Sequence, residues 1–518
     1  MTYLAVPISA KDLDQAQEQI NAAQAAGAEM LELRLDYIEG LSVDFTRKFI
    51  SEYKAAKKKL LPIIVTCRDK KQGGAIDYPI KLRIEVLTTA LLAGADFIDF
   101  EYDNFLTTDR QEKIRLALSK NSRARLILSA HNFETKFPDI GRLYRNISTI
   151  CPGTIPKLVY TANHINDCFD AFDLLHRTSS ERIIFCMGAA GIISRILAKK
   201  LGSFVTFAYV DKEQATAPGQ LHIDEFKRLY RYDSLRPDTE LFGVIADPVA
   251  HSLSPAIHNA CFSDMDMNRL YLPLLVQGRK QQFDAFMSGV ILRKWLNFHG
   301  FSVTIPHKQN ALDYAREHQG VIEPLASKIG AVNTLIIRLD GKVKAYNTDY
   351  TAALDAVKNV LNFTKDDFKD LPVAIIGAGG VSRAIVAGLS DAGAKITIYN
   401  RTVEKAKQLA SEFNCEFARL DELPNIDAKL LVNCTSIGMH PNIEVSPIDK
   451  EYLKSTMAVF DTVYNPAETQ LLKDAKTNRA KRIDGVSMFV NQAMAQFKLF
   501  TSTDANPKLM RKTVIESL

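Results

Sequence analysis

The chain has 518 residues, which at about 150 residues per domain predicts about three domains, or two if one is a large barrel. Hydrophobic residues make up 47% and charged residues 24% of the chain, a globular composition that excludes disordered and fibrous classes. The net charge of +5 requires no nucleic-acid partner and suits small anionic substrates. No apolar run approaches the roughly 18 residues of a membrane span, so no membrane partner is expected.

The cysteine pattern indicates the cellular compartment. Seven cysteines occur without C-x-x-C spacing, which predicts reduced thiols and neither a disulfide framework nor a metal site. The first residues, 1–7, resemble a strand more than a signal or transit segment. We therefore expect a cytoplasmic protein, or a plastid protein if it is of plant type and its transit peptide has been removed.

Short β-branched runs recur through the first half of the chain at intervals of about 30 residues, the length of a βα unit. Segments with helical periodicity, such as 11–26 and 80–93, separate them. Eight such repeats predict a (β/α)8 TIM barrel, with an open doubly wound sheet as the alternative. The predicted strands are 3–8, 30–37, 61–67, 97–102, 124–130, 155–160, 182–187 and 204–210.

Charged residues alternate with apolar ones inside these strands. In 31–36 the leucines share one face, and Glu32, Arg34 and Asp36 share the other. If the leucines meet the helices, the charges point into the barrel, where a charge is costly unless it is paired. The same alternation groups Thr66 with Arg68, Asp99 with Glu101, and Ser129 with His131, and it leaves Lys157 among strand formers. A solvated sheet face is the alternative, but a barrel has none, so we interpret these charges as an active site.

A lysine buried among arginines is a candidate nucleophile, since burial and neighbouring positive charge favour the neutral amine. Lys157 could form a Schiff base with a ketone, and His131 could remove the acidified proton. Arg34, Arg68 and Arg195 could hold a carboxylate and hydroxyls. The set fits a class I lyase or aldolase.

Residues 1–230 resemble the type I 3-dehydroquinate dehydratases. The resemblance rests on an ordered set of motifs, namely Glu32-Leu33-Arg34, Thr66-Cys67-Arg68, Ser129-Ala130-His131, Pro156-Lys157-Leu158, Met187-Gly188 with Ser194-Arg195, and Thr216-Ala217-Pro218-Gly219-Gln220. It implies that Lys157 forms the imine, and that His131 removes the C2 proton and then helps water to leave. It also implies that substrate is bound by Glu32, Arg34, Arg68, Arg195, Thr216 and Gln220.

Two positions depart from that family pattern. Gln72 stands where the family usually has a glutamate that orients the histidine, so a hydrogen bond is retained and a charge is lost. Thr216 stands where serine is usual and retains the hydroxyl. The first departure leaves the dehydratase rate open.

A polar, proline-containing stretch at 233–240 predicts a linker, and a strand is expected at 241–246. Further on, the apolar run 372–376 leads into a glycine turn and a helical pattern, which predicts a dinucleotide site at a helix N-terminus. The next predicted strand, 395–399, ends without the acid that an NAD site uses, and Arg401 offers a partner for a 2′-phosphate. We therefore expect NADP(H) as the cofactor and no metal.

Polar residues that interrupt apolar segments upstream of the glycine turn suggest a site for a polyhydroxylated substrate. Among them, Lys308 and Asp349 could supply the proton that accompanies hydride transfer to a ketone.

Residues 240–518 resemble the shikimate dehydrogenases. The motifs are Ser252-Leu253-Ser254-Pro255, 303–308, 330–334, Asn347-Thr348-Asp349, 377–380, Asn400-Arg401-Thr402, 433–439, and Asp484-Gly485 with Met488 and Gln492. The resemblance implies that Lys308 and Asp349 are the catalytic pair. Shikimate would be held by Ser252, Ser254, Thr304, Asn333, Tyr464 and Gln492. The cofactor would be held by Gly377, Ala378, Gly379, Gly380, Val381, Asn400, Arg401, Thr402 and Gly485.

Together the two halves resemble the bifunctional dehydroquinate dehydratase–shikimate dehydrogenases, with 3-dehydroquinate, 3-dehydroshikimate and shikimate as the small-molecule partners. The expected α/β organisation is a barrel over 1–232, a linker over 233–240, a substrate-binding domain over 241–350 and a Rossmann domain over 351–485. A C-terminal helical segment, 486–518, would return to the substrate-binding domain. Two alternatives stay open: a quinate/shikimate dehydrogenase with a weakened dehydratase half, and a quinate-pathway regulatory sensor without catalysis.

Overall fold

Residues 1–56, 60–425 and 427–518 are described by a computed structural model. The chain divides into two compact units, Met1–Thr239 with Leu274–Gln277, and Glu240–Pro273 with Gly278–Leu518. Among the described residues, none of the helices combines the length and the apolar composition that crossing a membrane requires. All seven cysteines are free thiols.

Eight parallel strands of the first unit form a curled sheet in the order β7-β6-β5-β4-β3-β2-β1-β8, to which a short β9 is added. The backbone N–H of Phe204, before β8, donates to the carbonyl of Arg182, before β7, so the two ends of the sheet meet. The predicted barrel is confirmed. Its strands are β1 (Tyr3–Ile8), β2 (Met30–Arg34), β3 (Ile63–Thr66), β4 (Phe97–Glu101), β5 (Arg125–Asn132), β6 (Ile155–Thr161), β7 (Ile183–Met187), β8 (Val205–Tyr209) and β9 (Leu221–His222).

Helices follow most of these strands, and side-chain caps mark the N-termini of several. Asp12 accepts the N–H of Gln15 at the start of α1, and Ser42 accepts the N–H of Phe45 at the start of α2. The helices are α1 (Leu13–Ala25), α2 (Val43–Ala55), α3 (Ile80–Leu92), α4 (Tyr102–Phe105), α5 (Thr108–Lys120), α6 (Ile140–Ile150), α7 (Cys168–Arg177), α8 (Ile192–Ile196) and α9 (Ala198–Leu201).

The inward faces of the barrel strands form two layers. The lower layer is apolar and includes Met30, Ile64, Ile127, Ile155, Ile183 and Val205. Side chains alternate along a strand, so the next inward residue lies two positions further on. It is polar in β2, β3, β5 and β6, as Glu32, Thr66, Ser129 and Lys157, whereas β7 and β8 present Phe185 and Phe207. Glu101, Ser129 and Lys157 lie level with one another across β4, β5 and β6. The apolar layer therefore closes the bottom of a polar site.

Strand β2 ends at Arg34, three residues before the predicted end at residue 37. Residues Leu35–Tyr37 instead form a 3-10 turn. The Asp36 side chain accepts the backbone N–H groups of Arg68 and Ala75, so the turn joins the chain that follows β3.

The segment that follows the barrel is held by side chains of α9. Lys199 donates to the carbonyls of Tyr232 and Asp233, and the buried Lys200 donates to the carbonyls of Pro237 and Thr239. The predicted linker is thus bound along its length to the first unit.

The second unit contains two sheets. The first has the order β11-β10-β12-β14-β15-β13, and β12, β14 and β15 are antiparallel neighbours. Its strands are β10 (Glu240–Ala246), β11 (Arg269–Leu275), β12 (Phe298–Val303), β13 (Val321–Ile322), β14 (Thr334–Ile337) and β15 (Val343–Tyr346). The helices of this part are α10 (Ser254–Asp264), α11 (Lys280–Leu292), α12 (Lys308–Glu317) and α13 (Pro324–Ile329).

The second sheet is parallel and has the order β18-β17-β16-β19-β20-β21, that of a Rossmann fold. Its strands are β16 (Pro372–Ile376), β17 (Lys395–Asn400), β18 (Glu416–Arg419), β19 (Leu430–Asn433), β20 (Ala458–Asp461) and β21 (Lys481–Ile483). The helices are α14 (Asp349–Leu361), α15 (Gly380–Asp391), α16 (Val403–Phe413), α17 (Gln470–Thr477), α18 (Gly485–Thr501) and α19 (Pro507–Ser517).

The last two helices pack on the first sheet of this unit. Val490, Phe497 and Met510 share a buried apolar cluster with Phe242 and Tyr271. The expected return of the C-terminal segment therefore has a packing basis, whereas the separate domain boundaries stay predictions.

Candidate active sites

A cavity of about 50 Å³ opens at the carboxyl ends of the barrel strands. Parallel strands deliver their last residues to one edge, which is why residues far apart in sequence meet there. The structure brings the whole predicted first-half set to this cavity, namely Glu32, Arg34, Arg68, His131, Lys157, Arg195, Thr216 and Gln220.

Lys157 lies at the centre of the barrel and is only 4% exposed. Its Nζ lies 2.7 Å from Oδ2 of Asp99 and 3.4 Å from Oε1 of Glu32, and it also lies over the ring of Phe207. The sequence suggested a lysine among arginines, whereas the structure pairs this lysine with two carboxylates. Its ammonium form thus has local counter-charge in the absence of substrate.

Asp99 connects Lys157 to Arg68. Arg68 Nη2 donates to Asp99 Oδ2 at 2.6 Å, and Arg68 Nη1 donates to Ser129 and Glu101. Burial opposes ionisation of Asp99, but the positive charges of Arg68 and Lys157 outweigh it and hold the pKa of Asp99 below its usual range. Asp99 is therefore the shared anion of the site.

His131 contacts the side chain of Gln72, with 3.1 Å between Nδ1 and Oε1. Since Oε1 accepts, this contact favours a proton on Nδ1 and leaves Nε2 free to act as a base. Burial, together with the charges of Arg68 and Lys157, lowers the pKa of His131 well below its ordinary value. The imidazole is thus neutral near pH 7, as a proton acceptor must be.

Arg34 and Arg195 differ in whether the N–H donors of their guanidinium groups have hydrogen-bond partners. Arg34 is held by Asp36 through Nε and Nη2 at 2.9 and 2.7 Å. Arg195 is 1% exposed, stacks on Phe185, and has Nε and Nη1 without a hydrogen-bond partner among the described residues. Burial lowers the pKa of Arg195 to about 10. Buried, unpaired donors at a cavity are a site for an anionic group, such as a carboxylate.

Gln220 and Thr216 form the other wall. The Gln220 side chain accepts the backbone N–H of Thr216 at 2.7 Å, and its Nε2 lies 3.4 Å from the Thr216 hydroxyl. The loop that carries both residues is therefore closed on itself.

Residues outside the predicted site support it. The alternation in β4 predicts that Asp99 and Glu101 face the active site, but it assigns neither of them a role in the reaction. Arg83 of α3 gave no such signal. It is 3% exposed and binds Glu101, Asp69 and the carbonyl of Cys67. Only the tertiary structure brings this arginine behind the strands.

A second cavity of about 290 Å³ lies within the second unit. Its lining includes the predicted residues Ser252, Ser254, Thr304, Lys308, Asn333, Asp349, Val381, Tyr464, Gly485 and Gln492. The predicted substrate residues and the catalytic pair thus surround one space.

Lys308 and Asp349 form an ion pair with 2.5 Å between Nζ and Oδ2. Each is the first residue of a helix, α12 and α14 respectively, and the free N–H groups of such a turn favour an anion such as Asp349. The other oxygen of Asp349 accepts from Asn333 Nδ2 at 2.9 Å, and the same amide donates to Thr348. Asn333 therefore holds the carboxylate that faces the lysine.

Other cavity residues are positioned by backbone contacts. The Ser254 N–H donates to the Ser252 hydroxyl at 3.3 Å, Thr304 follows directly after β12, and Gln492 belongs to α18. Tyr464 stacks on Phe489 with 4.6 Å between ring centroids. Hydroxyl and amide groups from separate elements thus face one space.

The glycine turn 377–380 lies between β16 and α15. Gly377 has φ +108°, which favours glycine, and a Cβ there would lie 3.0 Å from Thr435 Cγ2. A Cβ on Gly379 or Gly380 would meet nothing within 4 Å among the described residues, so the turn leaves open space beside a helix N-terminus. Open space beside a helix N-terminus, where the first N–H groups lack partners within the helix, fits a pyrophosphate.

Residues Asn400, Arg401 and Thr402 follow the neighbouring strand β17. The Asn400 side chain donates to the Thr402 carbonyl at 2.8 Å and shapes the loop. Arg401 is exposed and has no hydrogen-bond or ion-pair partner in the described part of the chain. Its guanidinium is available to an anion beyond the glycine turn.

Family models match four stretches of the chain. Residues 4–237 match the type I 3-dehydroquinase model, and residues 244–335 match the shikimate dehydrogenase substrate-binding domain. Residues 359–463 match the shikimate/quinate 5-dehydrogenase model, and residues 485–515 match the shikimate 5′-dehydrogenase C-terminal domain. The matches follow the same order as the motifs.

Individual relatives agree with the models. A bifunctional 3-dehydroquinate dehydratase/shikimate dehydrogenase from Arabidopsis thaliana, described as chloroplastic, is 35% identical over 98% of this chain and 83% of its own length. The NADP+ shikimate dehydrogenase of Methanosarcina barkeri is 39% identical over 54% of this chain and 99% of its own. A crystal structure of shikimate dehydrogenase in complex with NADP+ has a TM-score of 0.50 and 36% identity, covering 54% of this chain and 96% of that one.

Proposed function

The chain belongs to the family of bifunctional 3-dehydroquinate dehydratase/shikimate dehydrogenases, and from that membership we propose how its residues divide the two reactions. The protein is a lyase and an oxidoreductase of the shikimate pathway. It dehydrates 3-dehydroquinate to 3-dehydroshikimate in the barrel and reduces 3-dehydroshikimate to shikimate in the second unit. The observation that carries the residue assignments is that each half gathers its own proton-transfer groups around its own cavity.

In the barrel, Lys157 is the nucleophile. Its amine adds to the substrate ketone and water leaves, which forms an imine whose protonated form accepts electrons from the adjacent carbon. The ammonium must lose one proton before it adds, and Glu32, 3.4 Å from Nζ, takes it, while Asp99 stays ionised as the shared anion.

His131 then moves the second proton. Nε2 takes the C2 proton, the resulting enamine expels the C1 hydroxyl, and the same proton leaves with it as water. Hydrolysis of the imine releases 3-dehydroshikimate and restores Lys157. The unpaired donors of Arg195 bind the substrate carboxylate, while Glu32, Arg34, Arg68, Thr216 and Gln220 bind its hydroxyls and ketone.

In the second unit, Lys308 is the proton donor. NADPH, when bound, supplies the hydride. Lys308 Nζ gives a proton to the developing alkoxide, and Asp349, at 2.5 Å, keeps the lysine charged for the next turnover. Asn333 orients Asp349, and Ser252, Ser254, Thr304, Tyr464 and Gln492 hold the ring of the substrate.

The cofactor is assigned as NADP(H). Residues Gly377, Ala378, Gly379, Gly380 and Val381 would hold the pyrophosphate at the start of α15, with Gly485 at the nicotinamide end of the cavity. Arg401, with Asn400 and Thr402, would hold the 2′-phosphate. The guanidinium of Arg401, which is exposed and has no partner among the described residues, supports this choice over NAD.

Borohydride trapping tests the imine. Borohydride added with 3-dehydroquinate is expected to link the substrate to Lys157, as read by peptide mass spectrometry. Lys157→Ala should abolish the label, and Lys136→Ala, an exposed barrel lysine, should keep it. A label that survives in Lys157→Ala would overturn the assignment.

Comparison of shikimate and quinate as substrates tests the reductase half. We expect a higher kcat/KM for shikimate, because the serines at 252 and 254 leave little room for an additional C1 hydroxyl. A higher value for quinate would favour the quinate dehydrogenase alternative. Absence of both activities would favour the regulatory sensor. The cytoplasmic or plastid location stays a prediction.

A further inference from the structure

Asp461 is a fully buried carboxylate that the two reactions do not use. It is the last residue of β20 and is 0% exposed. No cation forms an ion pair with it among the described residues, and the titratable group that faces it is the thiol of Cys434. Burial raises the pKa of Asp461 to about 6, against the opposing effect of its three hydrogen bonds. Burying a carboxylate without a paired cation costs free energy, so we expect this residue to have a role.

The contacts of Asp461 reach three segments. Oδ1 accepts from the Asn433 side chain and from the Val463 backbone N–H, both at 3.0 Å. Oδ2 accepts from the Thr469 hydroxyl at 2.6 Å, at the start of α17. Its acceptor contacts therefore join the end of β19, the segment that follows β20 and the start of α17.

The first of these segments leads to the glycine turn. Asn433 accepts the N–H and the hydroxyl of Thr435 and donates to the carbonyl of Ile437. Thr435 in turn packs against Gly377. The side chain of Asn433 thus shapes the loop beside the dinucleotide turn, and Asp461 fixes the orientation of that side chain.

The second segment leads to the substrate cavity. Thr462 and Tyr464, on either side of the Val463 N–H, line the cavity of Lys308 and Asp349. The Val463 carbonyl also lies so close to Gly485 that no side chain fits there, and Gly485 begins the helix that carries Gln492. Asp461 is therefore linked to the cofactor turn through Asn433 and Thr435, and to the substrate wall through the Val463 N–H.

We propose that Asp461 is a positioning residue for the reductase site. Its carboxylate holds the 433–437 loop and the 462–464 segment in one arrangement, so that cofactor and substrate bind in the correct relative position. This inference rests on the proposed function of the second unit. Loss of the carboxylate lets the two segments move independently, which lowers kcat/KM for shikimate and weakens NADP+ binding together.

The test uses the full chain with shikimate and NADP+. Asp461→Asn keeps the shape but reverses the contact with Thr469, and it should lower kcat/KM at least 10-fold at pH 8. Wild-type kcat/KM should decline as the pH falls through about 6, where Asp461 gains a proton. Asp461→Asn should lack that decline, because it has no proton to gain.

Thr469 provides a second route that leaves the carboxylate in place. Thr469→Val removes a hydrogen bond that stabilises the charged form, so the acidic decline should move to higher pH, and Thr469→Ser should restore the wild-type profile. Thr477→Val, an exposed position on the same helix, is the matched control and should change nothing. Dehydration in the barrel serves as an internal control for the amount of intact protein.

Two results separate this inference from the proposed function. Wild-type pH profiles and NADP+ affinities in Asp461→Asn and Thr469→Val, with only a lower melting temperature, would overturn the positioning role. NADP+ affinity is read separately by calorimetry. A wild-type protein that does not oxidise shikimate would contradict the proposed function. In that case the difference in NADP+ affinity between Thr469→Val and Thr469→Ser would still test the role of Asp461.

Discussion

Asp99 is the residue of the barrel site that pairs with two buried cations. It is shared by Arg68 and Lys157, so Asp99→Asn leaves two buried cations without their common anion. Breaking such a pair costs about 3 kcal/mol or more. We expect the free energy of unfolding of the barrel to fall by about that amount and the dehydratase kcat to fall at least 10-fold, as measured by denaturant titration and enone absorbance. Asp103→Asn, at an exposed neighbouring position, should change neither quantity. An Asp99→Asn variant with wild-type activity would show that Glu32 alone is a sufficient counter-charge for Lys157.

Gln72 is the second residue with a measurable consequence. It contacts His131 Nδ1 without charge, and burial already lowers the pKa of that imidazole. The base therefore stays unprotonated below pH 6.5, and dehydratase kcat/KM should fall only as the pH drops through that lowered pKa. Gln72→Glu adds a negative charge, raises the pKa of His131 and should move the acidic limb of the pH profile to higher pH. An unchanged limb would mean that His131 is not the group that titrates.

Arg401 sets the cofactor preference in this account. Since only NADPH carries the 2′-phosphate, Arg401→Ala should raise KM for NADPH about 10-fold or more and leave KM for NADH nearly unchanged. Steady-state reduction of 3-dehydroshikimate with each cofactor measures both values. Lys407→Ala, an exposed cation of α16, is the matched control. Equal losses with both cofactors would make Arg401 a structural residue.

At the scale of elements, helix α10 carries a buried histidine that makes the second unit sensitive to acid. His258 stacks on Tyr271 and Phe497, and neither ring nitrogen has a hydrogen-bond partner among the described residues. Burial lowers the pKa of His258 to about 3. The unfolded chain gains this proton near pH 6.5 and the folded chain does not, so stability is full above pH 6.5 and declines from there towards pH 3, at about 1.4 kcal/mol per pH unit. Denaturant titration between pH 6.5 and 3 should show this decline in the free energy of unfolding of the wild type but not of His258→Phe. The same pH dependence in both proteins would contradict the role of His258.

At the scale of the whole molecule, each unit carries a complete set of catalytic groups. The first-half site residues all lie before residue 240, and the second-half ones all lie after it. Lys308→Ala should therefore abolish reduction of 3-dehydroshikimate and leave dehydration near its wild-type rate. Lys157→Ala should stop dehydration and leave reduction intact when 3-dehydroshikimate is supplied. If either variant lost both activities while circular dichroism showed it to be folded, the assignment of two separate sites would be contradicted.

The sequence alone determined the features that depend on local spacing. Alternation over two residues indicated that Glu32, Lys157 and His131 face the barrel interior, and the strand–glycine–helix order indicated the dinucleotide turn at 377–380. Those patterns are local because a strand repeats every two residues and a turn is complete within a few. The ordered motifs then identified both halves, and the family is confirmed.

Only the tertiary structure decided which groups meet. Asp99 pairs with Lys157 across 58 residues, and Asp36, just after β2, binds the chain that follows β3. Lys200 holds the segment for which the composition predicted a linker. Asp461 had no local sequence signal, since its partners Asn433 and Thr469 lie at the end of β19 and at the start of α17. Contacts of this kind depend on the packing of distant strands, which no local period encodes, so they became visible only when the sheets were assembled.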